Sequence, residues 1–215
     1  MSKKPETILV FSAHSDDFVI GAGGTIANYT KESKKVIAIV FSYGEKSHPW
    51  LKEGIVQKMR SKETIDASLI LNCEVMFFDL HEFKFQEDYE TQNIKETLLN
   101  LIKKEKPTKI LTHSGDDPHP DHNAVHKISL ELFDELTKKP ELYVYSVWNP
   151  ISIRTKYPSM YSDISKTFTL KLKALRTFRS QTIHVAYPFF LLLYRAIKDG
   201  LKIRKRFGEH FYRIR

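Results

Sequence analysis

Short apolar runs alternate with amphipathic stretches along the first two thirds of the chain. Five β-rich runs are predicted to be strands, and their nearly continuous apolar character is typical of strands buried on both faces. In the second amphipathic stretch, Ile55, Met59, Ile65 and Leu69 fall near helical spacing. The predicted strands are residues 7–12, 35–42, 75–80, 109–114 and 142–148, and the predicted helices between them are 23–33, 53–70, 91–105 and 121–138.

This alternation favours right-handed crossovers and therefore an α/β fold, with a mostly parallel sheet and helices on both faces. Residues 149–166 are polar and irregular, and we interpret them as an excursion from the sheet. Residues 167–179 and 187–206 are predicted to be helical. We find no repeat or long linker, so we expect one domain over residues 1–215.

The positive charge is concentrated at the C-terminus. Of the formal net charge of +8, the segment from Arg195 to Arg215 contributes +6 through eight Lys or Arg and two acidic residues. We therefore do not expect a nucleic-acid-binding protein. Cys73 is the single cysteine, which excludes an internal disulfide and suits a reducing compartment. The first residues do not resemble a signal peptide, and a cytoplasmic location is expected.

Two polar clusters directly follow predicted strands: "AHSDD" at 13–17 and "HSGDDPHPDH" at 113–122. Ligands of open α/β sheets gather at the carboxyl ends of strands, and histidine with carboxylate is a typical zinc ligand set. His14 and Asp17 can both turn inward on a tight loop, which leaves Asp16 free for acid–base chemistry.

In the second cluster, Asp121 is predicted to cap the following helix, which places His122 in its first turn. His119 could face the same cavity without coordinating a metal ion. Each cluster alone also fits an ordinary polar loop or a capped helix start with solvated histidines, but the two together favour a site.

Two nearby features have simpler explanations. His126 is a rival ligand because it shares a helix face with His122, but it lies a turn deeper and we expect a packing or surface role. "GAGG" at 21–24 is half of a dinucleotide-binding fingerprint. We expect its glycines to allow a tight start of the helix.

These residues resemble the LmbE-like (PIG-L) family of zinc-dependent N-acetylglucosaminyl deacetylases. The family motif Ala-His-Pro-Asp-Asp-Glu is present as "AHSDDF" at 13–18, and His-Pro-Asp-His is intact at 119–122. The resemblance continues through "GGTIA", "FSYGE", "RSKE", "LKALRTFRSQ" and "GEHF", so it spans nearly the whole chain.

The resemblance implies a Rossmann-like three-layer α/β/α sandwich and zinc bound by His14, Asp17 and His122. The implied reaction is hydrolysis of the acetyl group from a small amino-sugar conjugate that contains N-acetylglucosamine. The implied roles of the other motif residues are Asp16 as general base, protonated His119 as the group that stabilises the oxyanion, Asp121 as the residue that orients His119, and Arg60 as a substrate contact.

Two residues depart from the motif, and two alternative functions stay open. Ser15 replaces the proline, and Phe18 replaces the glutamate, which removes a charge beside the expected site. A non-catalytic zinc-containing protein that binds a sugar or a protein partner is one alternative. An amidase that acts on a different acyl amide is the other.

The substrate and the assembly are not determined by the motifs. Specificity is expected in loops 44–53, 81–90 and 149–166, and a homo-oligomer is an open alternative to a monomer. Residues 187–207 join an apolar run, about half the length of a membrane span, to a basic stretch. We favour a packing helix or subunit interface there over a helix that contacts anionic lipid. The expected rim residues are Tyr43, His48, Trp50, His81 and Trp148.

Overall fold

Seven strands and seven α-helices are present in the computed structural model, which describes residues 5–47, 50–149 and 157–215, with the backbone alone for 182–188. The strands are β1 (Thr7–Ser12), β2 (Lys35–Val40), β3 (Glu74–Phe77), β4 (Lys109–His113), β5 (Glu141–Tyr145), β6 (Ser159–Asp163) and β7 (Gly208–Arg213). The helices are α1 (Asp17–Lys31), α2 (Glu53–Leu71), α3 (Phe85–Thr91), α4 (Ile94–Glu105), α5 (Pro120–Glu135), α6 (Phe168–Leu175) and α7 (Thr182–Lys202). Short 3₁₀ turns lie at Glu45–Ser47 and Arg179–Gln181.

The strands form one sheet in the order β3-β2-β1-β4-β5-β7-β6. The first five strands are parallel, whereas β7 runs antiparallel to both β5 and β6. The chain runs outward from β1 through β2 to β3 and then returns to β4 on the other side of β1. The carboxyl ends of β1 and β4 therefore flank a topological switch point, where open α/β sheets bind ligands.

Successive residues of β1 pack into opposite layers. Ile8 and Val10 belong to an apolar cluster with α1, α6 and α7, whereas Leu9 and Phe11 belong to a second cluster with α4 and α5. Side chains of a strand alternate between its two faces, so this pattern buries the sheet on both sides. The three-layer α/β/α sandwich with a mostly parallel sheet is therefore confirmed.

The structure contains two strands and one α-helix that the sequence did not predict. β6 lies within the segment that we interpreted as an irregular excursion, residues 150–156 of which lie outside the described residues. β7 lies in the basic C-terminal segment, and α3 precedes the predicted helix 91–105. Strands β6 and β7 are largely polar and bury few apolar side chains, so hydrophobic pattern alone does not reveal them.

Helix α1 begins at Asp17, six residues before its predicted start, and this corrects the interpretation of the glycines. They lie inside the helix rather than at its start. A Cβ atom on Gly21 would lie 2.1 Å from the Tyr145 ring, and one on Gly24 would lie 2.7 Å from Ile164. The glycines therefore allow β5 and the segment after β6 to pack closely against α1.

The apolar face predicted for α2 is wrong. Ile55, Ile65 and Leu69 are exposed, and the buried face instead carries Arg60 and Glu63 together with small residues. Arg60 points to the end of β1, where it contacts Asp16, and the Glu63 carboxylate accepts hydrogen bonds from Ser180. Binary patterning fails on a helix whose buried side lines a polar site.

A buried ion pair joins β7 to α1 and α6. The Lys171 ammonium group donates to Glu209 Oε1 over 2.6 Å and to the Ile20 carbonyl over 2.7 Å. The Glu209 carboxylate also accepts hydrogen bonds from the backbone N–H groups of Gly24 (2.9 Å) and Thr25 (2.7 Å). Glu209 belongs to "GEHF", so this part of the resemblance has a structural explanation.

Candidate active site

The end of β1 brings His14 and Asp17 together. The His14 backbone N–H donates to Asp17 Oδ2 over 2.7 Å, and His14 Nδ1 lies 3.3 Å from the same oxygen. Asp16 is the N-cap residue of α1, but its side chain makes no capping hydrogen bond. The tight turn thus directs His14 and Asp17 to one point and leaves the Asp16 carboxylate free for another partner.

The end of β4 places His119 and His122 at the start of α5. His119 caps the helix: its Nδ1 accepts a hydrogen bond from the backbone N–H of Asp121 over 3.2 Å. Asp121 was predicted to be the cap, and this is a correction. Pro120 is the first helical residue, where a missing N–H costs no hydrogen bond. His122 follows in the first turn and is fully buried.

Asp17, His14 and His122 converge on one position. Asp17 Oδ2 lies 3.3 Å from His14 Nδ1 and 3.3 Å from His122 Nε2. Donor atoms bound to one tetrahedral zinc ion at about 2.0–2.2 Å lie about 3.3–3.6 Å apart, so these spacings fit zinc. The buried His122 Nε2 has no hydrogen-bond partner among the described residues, as expected of an atom that would bind a metal ion.

Two further carboxylates stand behind the two histidines. Asp121 Oδ2 lies 3.2 Å from His14 Nε2, and Asp117 Oδ1 lies 2.9 Å from His122 Nδ1. Such carboxylates fix the ring orientation of metal-binding histidines and raise their basicity. The Asp121 carboxylate was expected to orient His119, but it lies 4.0 Å from His119 Nδ1 and is closer to His14. The backbone of Asp121 holds His119 instead.

In the metal-free protein, the buried carboxylates of the cluster favour the protonated forms of His14 and His122. Burial opposes the charge on His14, but contacts with Asp121 and Asp17 outweigh it and raise the pKa of His14 to about 10. Burial also opposes the charge on His122, whose pKa is nevertheless raised to about 9 by Asp17 and Asp117. Burial alone would raise the pKa of Asp17, yet His122 and His14 hold it well below its usual range.

Asp16 and Arg60 form a separate pair beside this cluster. An Arg60 amino group donates to Asp16 Oδ1 over 3.3 Å, and the guanidinium also contacts Ser47 Oγ at 3.3 Å. Burial raises the pKa of Asp16, whereas the charge on Arg60 opposes that rise. Arg60 was predicted to contact substrate; its side chain is only 3% exposed, and the substrate contact stays a prediction.

His119 is neutral in the metal-free protein. Burial, together with the positive charges of His14 and His122, lowers the pKa of His119 to about 4. The protonated His119 that we expected therefore does not occur in the metal-free protein at neutral pH. Because Nδ1 accepts a hydrogen bond, the proton of the neutral ring sits on Nε2. A neutral His119 can therefore still donate one hydrogen bond to a bound group.

Three overlapping groups of donors among the described residues could hold a metal ion: His14, His119 and His122; Asp17, His113 and His122; and His14, Glu82 and Asp121. His119 Nδ1 and His113 Nε2 already accept hydrogen bonds, the latter from the backbone N–H of Ala13 over 2.9 Å. The predicted set of His14, Asp17 and His122 is not one of these three groups; Asp17 lies 3.3 Å from both His14 and His122, and zinc binding by these three residues stays a prediction.

Sequence reasoning missed three residues at this site. His113, the last residue of β4, stacks on His122 with ring centroids 4.0 Å apart. Glu82 Oε1 lies 3.7 Å from His14 Nε2. Phe83 is exposed, has a φ of 67° and stacks on His119 at 5.7 Å. The loop that carries Glu82 and Phe83 was predicted to set specificity, but no motif marked these residues.

The predicted rim residues have varied surroundings. Tyr43 stacks on Phe77, His81 contacts Asp88, Trp50 is exposed, and Trp148 packs partly against the core. His48 lies outside the described residues. These surroundings do not test whether the residues line the rim of the site, so that role stays a prediction.

Two further positions singled out in the sequence are structural. Phe18 is fully buried in an apolar cluster with Val19 and Tyr145, so position 18 faces the core. The replacement of the family's glutamate by Phe18 therefore does not open a gap beside the site. His126 lies outside the donor groups and its Nδ1 contacts the His113 carbonyl at 2.9 Å, in agreement with the predicted packing role.

Comparison with known proteins yields one family and several relatives. The family described as GlcNAc-PI de-N-acetylase (PIG-L) matches residues 9–133. The matched segment runs from β1 into the last part of α5 and therefore includes both motif clusters.

The relatives have two kinds of names. A 4-oxalmesaconate hydratase of Pseudomonas putida is 26% identical over 203 residues, covering 84% of this chain and 76% of the relative. A Bacillus cereus protein named "Probable N-acetyl-alpha-D-glucosaminyl L-malate deacetylase 2" is 27% identical over 188 residues, covering 81% and 83%. The crystal structure of a 4-carboxy-2-hydroxymuconate hydratase from Pseudomonas putida matches with a TM-score of 0.85 at 21% identity, covering 98% of this chain and 96% of that one.

Proposed function

We propose, because the chain belongs to the GlcNAc-PI de-N-acetylase (PIG-L) family, that it is a zinc-dependent hydrolase that removes the acetyl group from a substrate containing N-acetylglucosamine. The observation that carries this proposal is the convergence of His14 and His122 on Asp17, with Asp16 held apart by Arg60. We also propose that the whole chain is one catalytic domain, since strands from both of its ends join the same sheet.

The proposed ligands are His14, Asp17 and His122. Three protein ligands that leave one position open are typical of catalytic rather than structural zinc sites. When bound, zinc would polarise the acetyl carbonyl and lower the pKa of a water molecule at the site. Asp121 and Asp117 would hold the two histidine rings in orientation.

Asp16 is the proposed general base. Its carboxylate is largely buried, makes no capping hydrogen bond and is held by Arg60, so it can accept a proton from the attacking water. The same group would then pass that proton to the leaving amine, which gives acetate and a free amino sugar. Burial raises the pKa of Asp16 toward the range in which both transfers proceed.

His119 is the proposed donor to the developing oxyanion. Its neutral ring carries the proton on Nε2, so it can donate one hydrogen bond to the carbonyl oxygen as negative charge builds there. One such donor typically contributes about 3–4 kcal/mol to transition-state stabilisation. Phe83, exposed and stacked on His119, offers an apolar face beside this position, and we propose that it packs against the sugar ring.

Hydratase activity is the second candidate, because a relative and a structural neighbour have hydratase names. Those names denote water addition to unsaturated acids with several carboxylates. The charges of this site argue against such a substrate. Among the described residues beside the cluster, the charged side chains other than histidine include Arg60, Lys46 and six carboxylates. The carboxylates are Asp16, Asp17, Glu45, Glu82, Asp117 and Asp121.

A substrate panel with metal analysis tests the proposal. Zinc-loaded protein is expected to release acetate from N-acetylglucosamine conjugates, including N-acetylglucosaminyl L-malate, and to lose this activity in chelator. Hydration of 4-oxalmesaconate without acetate release would favour the second candidate. Release from simple acyl amides but no sugar conjugate would indicate the amidase alternative. Zinc binding without turnover of any panel member would favour the non-catalytic alternative.

A further inference from the structure

Helix α7 presents a row of large apolar side chains to solvent. Phe190, Tyr194, Ile197 and Leu201 are 73%, 58%, 42% and 70% exposed. At about 100° per residue, these four positions fall within an arc of about 60° on the helix. The opposite side, with Leu192 and Ala196, packs into the core. Contiguous exposed apolar rows of this kind mark interaction surfaces rather than ordinary solvent-facing helices.

The flank and end of this apolar row are strongly basic. Lys198 and Lys202 fall about 70° and 110° from its centre by the same geometry. Arg204, Lys205 and Arg206 are exposed directly after α7. The Lys198 ammonium group lies 5.8 Å from the Tyr194 ring, beside the apolar side chains. Basic side chains beside an apolar stripe are typical of helices that lie in a membrane interface.

Acidic side chains do little to offset this charge at the surface. Asp199 and Glu209 are the two acidic residues between positions 195 and 215, and both are buried. Glu209 is paired with Lys171 inside the protein. The Lys205 ammonium group lies 3.5 Å from the Asp163 carboxylate. Among the described residues, that carboxylate forms no ion pair with Lys202, Arg204 or Arg206.

We propose that the α7 surface, defined as Phe190, Tyr194, Ile197 and Leu201 with Lys198, Lys202, Arg204 and Arg206, docks on an anionic phospholipid bilayer. The helix lies in the interface without crossing the bilayer, and none of the helices in the described residues is long and apolar enough to cross it. The sequence favoured a packing helix or a subunit interface for this segment. The exposure of the four apolar side chains favours the bilayer instead.

A second copy of the chain is the main competing occupant. In a two-fold dimer, each subunit presents the same patch to the other. The α7 surface would then meet another surface that carries cations and no exposed acidic residue between positions 195 and 215. An anionic bilayer complements both the apolar row and the cations, so charge favours the bilayer.

Vesicle flotation with the full-length protein tests this inference. The wild type is expected to float at low salt with vesicles of equal parts phosphatidylcholine and phosphatidylglycerol, and to bind pure phosphatidylcholine at least about tenfold more weakly. High salt should release it. Lys202→Glu should weaken binding by at least about fivefold, and Leu201→Ser by a similar factor.

Leu69→Ser is the matched control, because Leu69 on α2 is 72% exposed and Leu201 is 70% exposed. It should bind anionic vesicles like the wild type, and circular dichroism should show that all variants are folded. Binding that is absent at low salt, equal on neutral vesicles, or unchanged by Leu201→Ser overturns the inference. A dimer in light scattering that Leu201→Ser dissociates, without vesicle binding, assigns the surface to a second copy instead.

Discussion

The guanidinium of Arg60 lies 3.3 Å from the carboxylate of Asp16, and both side chains are largely buried. Burial disfavours the ionised carboxylate and raises the pKa of Asp16, while the adjacent cation opposes that rise. The protonation of the proposed base therefore depends on a residue from a different helix. Arg60 has a positioning role in this account, in addition to the substrate contact predicted for it.

Removal of the charge on Arg60 should change the pH dependence of the reaction. In Arg60→Met, the pKa of Asp16 should rise further, because an opposite charge no longer favours the ionised form. Since the base works deprotonated, the acidic limb of the kcat/KM profile should move to higher pH. Arg60→Lys should move it less. A lower rate with an unmoved limb would indicate a substrate contact alone.

His119 should act as a neutral hydrogen-bond donor. His119→Ala is expected to lower kcat about 10²–10³-fold, the usual loss of one oxyanion donor, with a smaller change in KM. His119→Gln keeps a donor and should recover part of the rate. In the metal-free protein, the pKa of about 4 predicts no titration of His119 between about pH 5 and pH 8. Loss of an alkaline limb in His119→Gln would show instead that the ring works as a charged acid.

Zinc should compete with protons for the cluster. The pKa values of about 10 for His14 and about 9 for His122 keep both rings protonated at neutral pH in the metal-free protein. Each ring must lose its proton to bind zinc, so affinity should rise with pH by up to about tenfold per pH unit for each displaced proton. Chelator competition between about pH 6 and pH 8 checks this. His14→Asn should reduce the slope, and a pH-independent affinity would contradict the prediction.

The Glu209 carboxylate should contribute substantially to the stability of the C-terminal half of the sheet. Glu209→Ala leaves the buried Lys171 ammonium group without its carboxylate partner and removes the side-chain acceptor of two α1 amides, which should cost about 3–5 kcal/mol in the free energy of unfolding. Glu209→Gln keeps an acceptor and should cost less. Urea denaturation measures both. Exposed Glu135, replaced by Ala as a control, should leave the midpoint near the wild-type value.

The parallel half of the fold could be predicted because its strands are apolar on both faces. β1 buries every residue and β4 all but its first, so each is visible as a nearly continuous apolar run. β6 has no buried residue, and β7 is a partly polar strand whose buried Glu209 looks like a surface residue in sequence. Pairing with neighbouring strands, rather than local pattern, defines these two strands.

In the candidate site, the residues that could be predicted are those that belong to the sequence motifs. His14 and Asp17 follow β1 and His122 lies in the first turn of α5, and Asp17 Oδ2 lies 3.3 Å from a ring nitrogen of each histidine. Glu82 and Phe83 come from a loop whose course depends on tertiary hydrogen bonds, including one from the Phe83 backbone N–H to Asp121 Oδ1 over 2.9 Å. Such contacts leave no local signal. The buried role of Arg60 was likewise hidden, because α2 has a polar inner face.

The most direct test measures acetate release and zinc content together for the wild type and Asp16→Asn. The variant should bind zinc like the wild type while losing about 10²–10⁴-fold in kcat on an N-acetylglucosamine conjugate, because the ligands remain and the base does not. Asp134→Asn, an exposed change on α5, should retain both properties. Full turnover by Asp16→Asn, or loss of its zinc, would contradict the proposed separation of base from ligands.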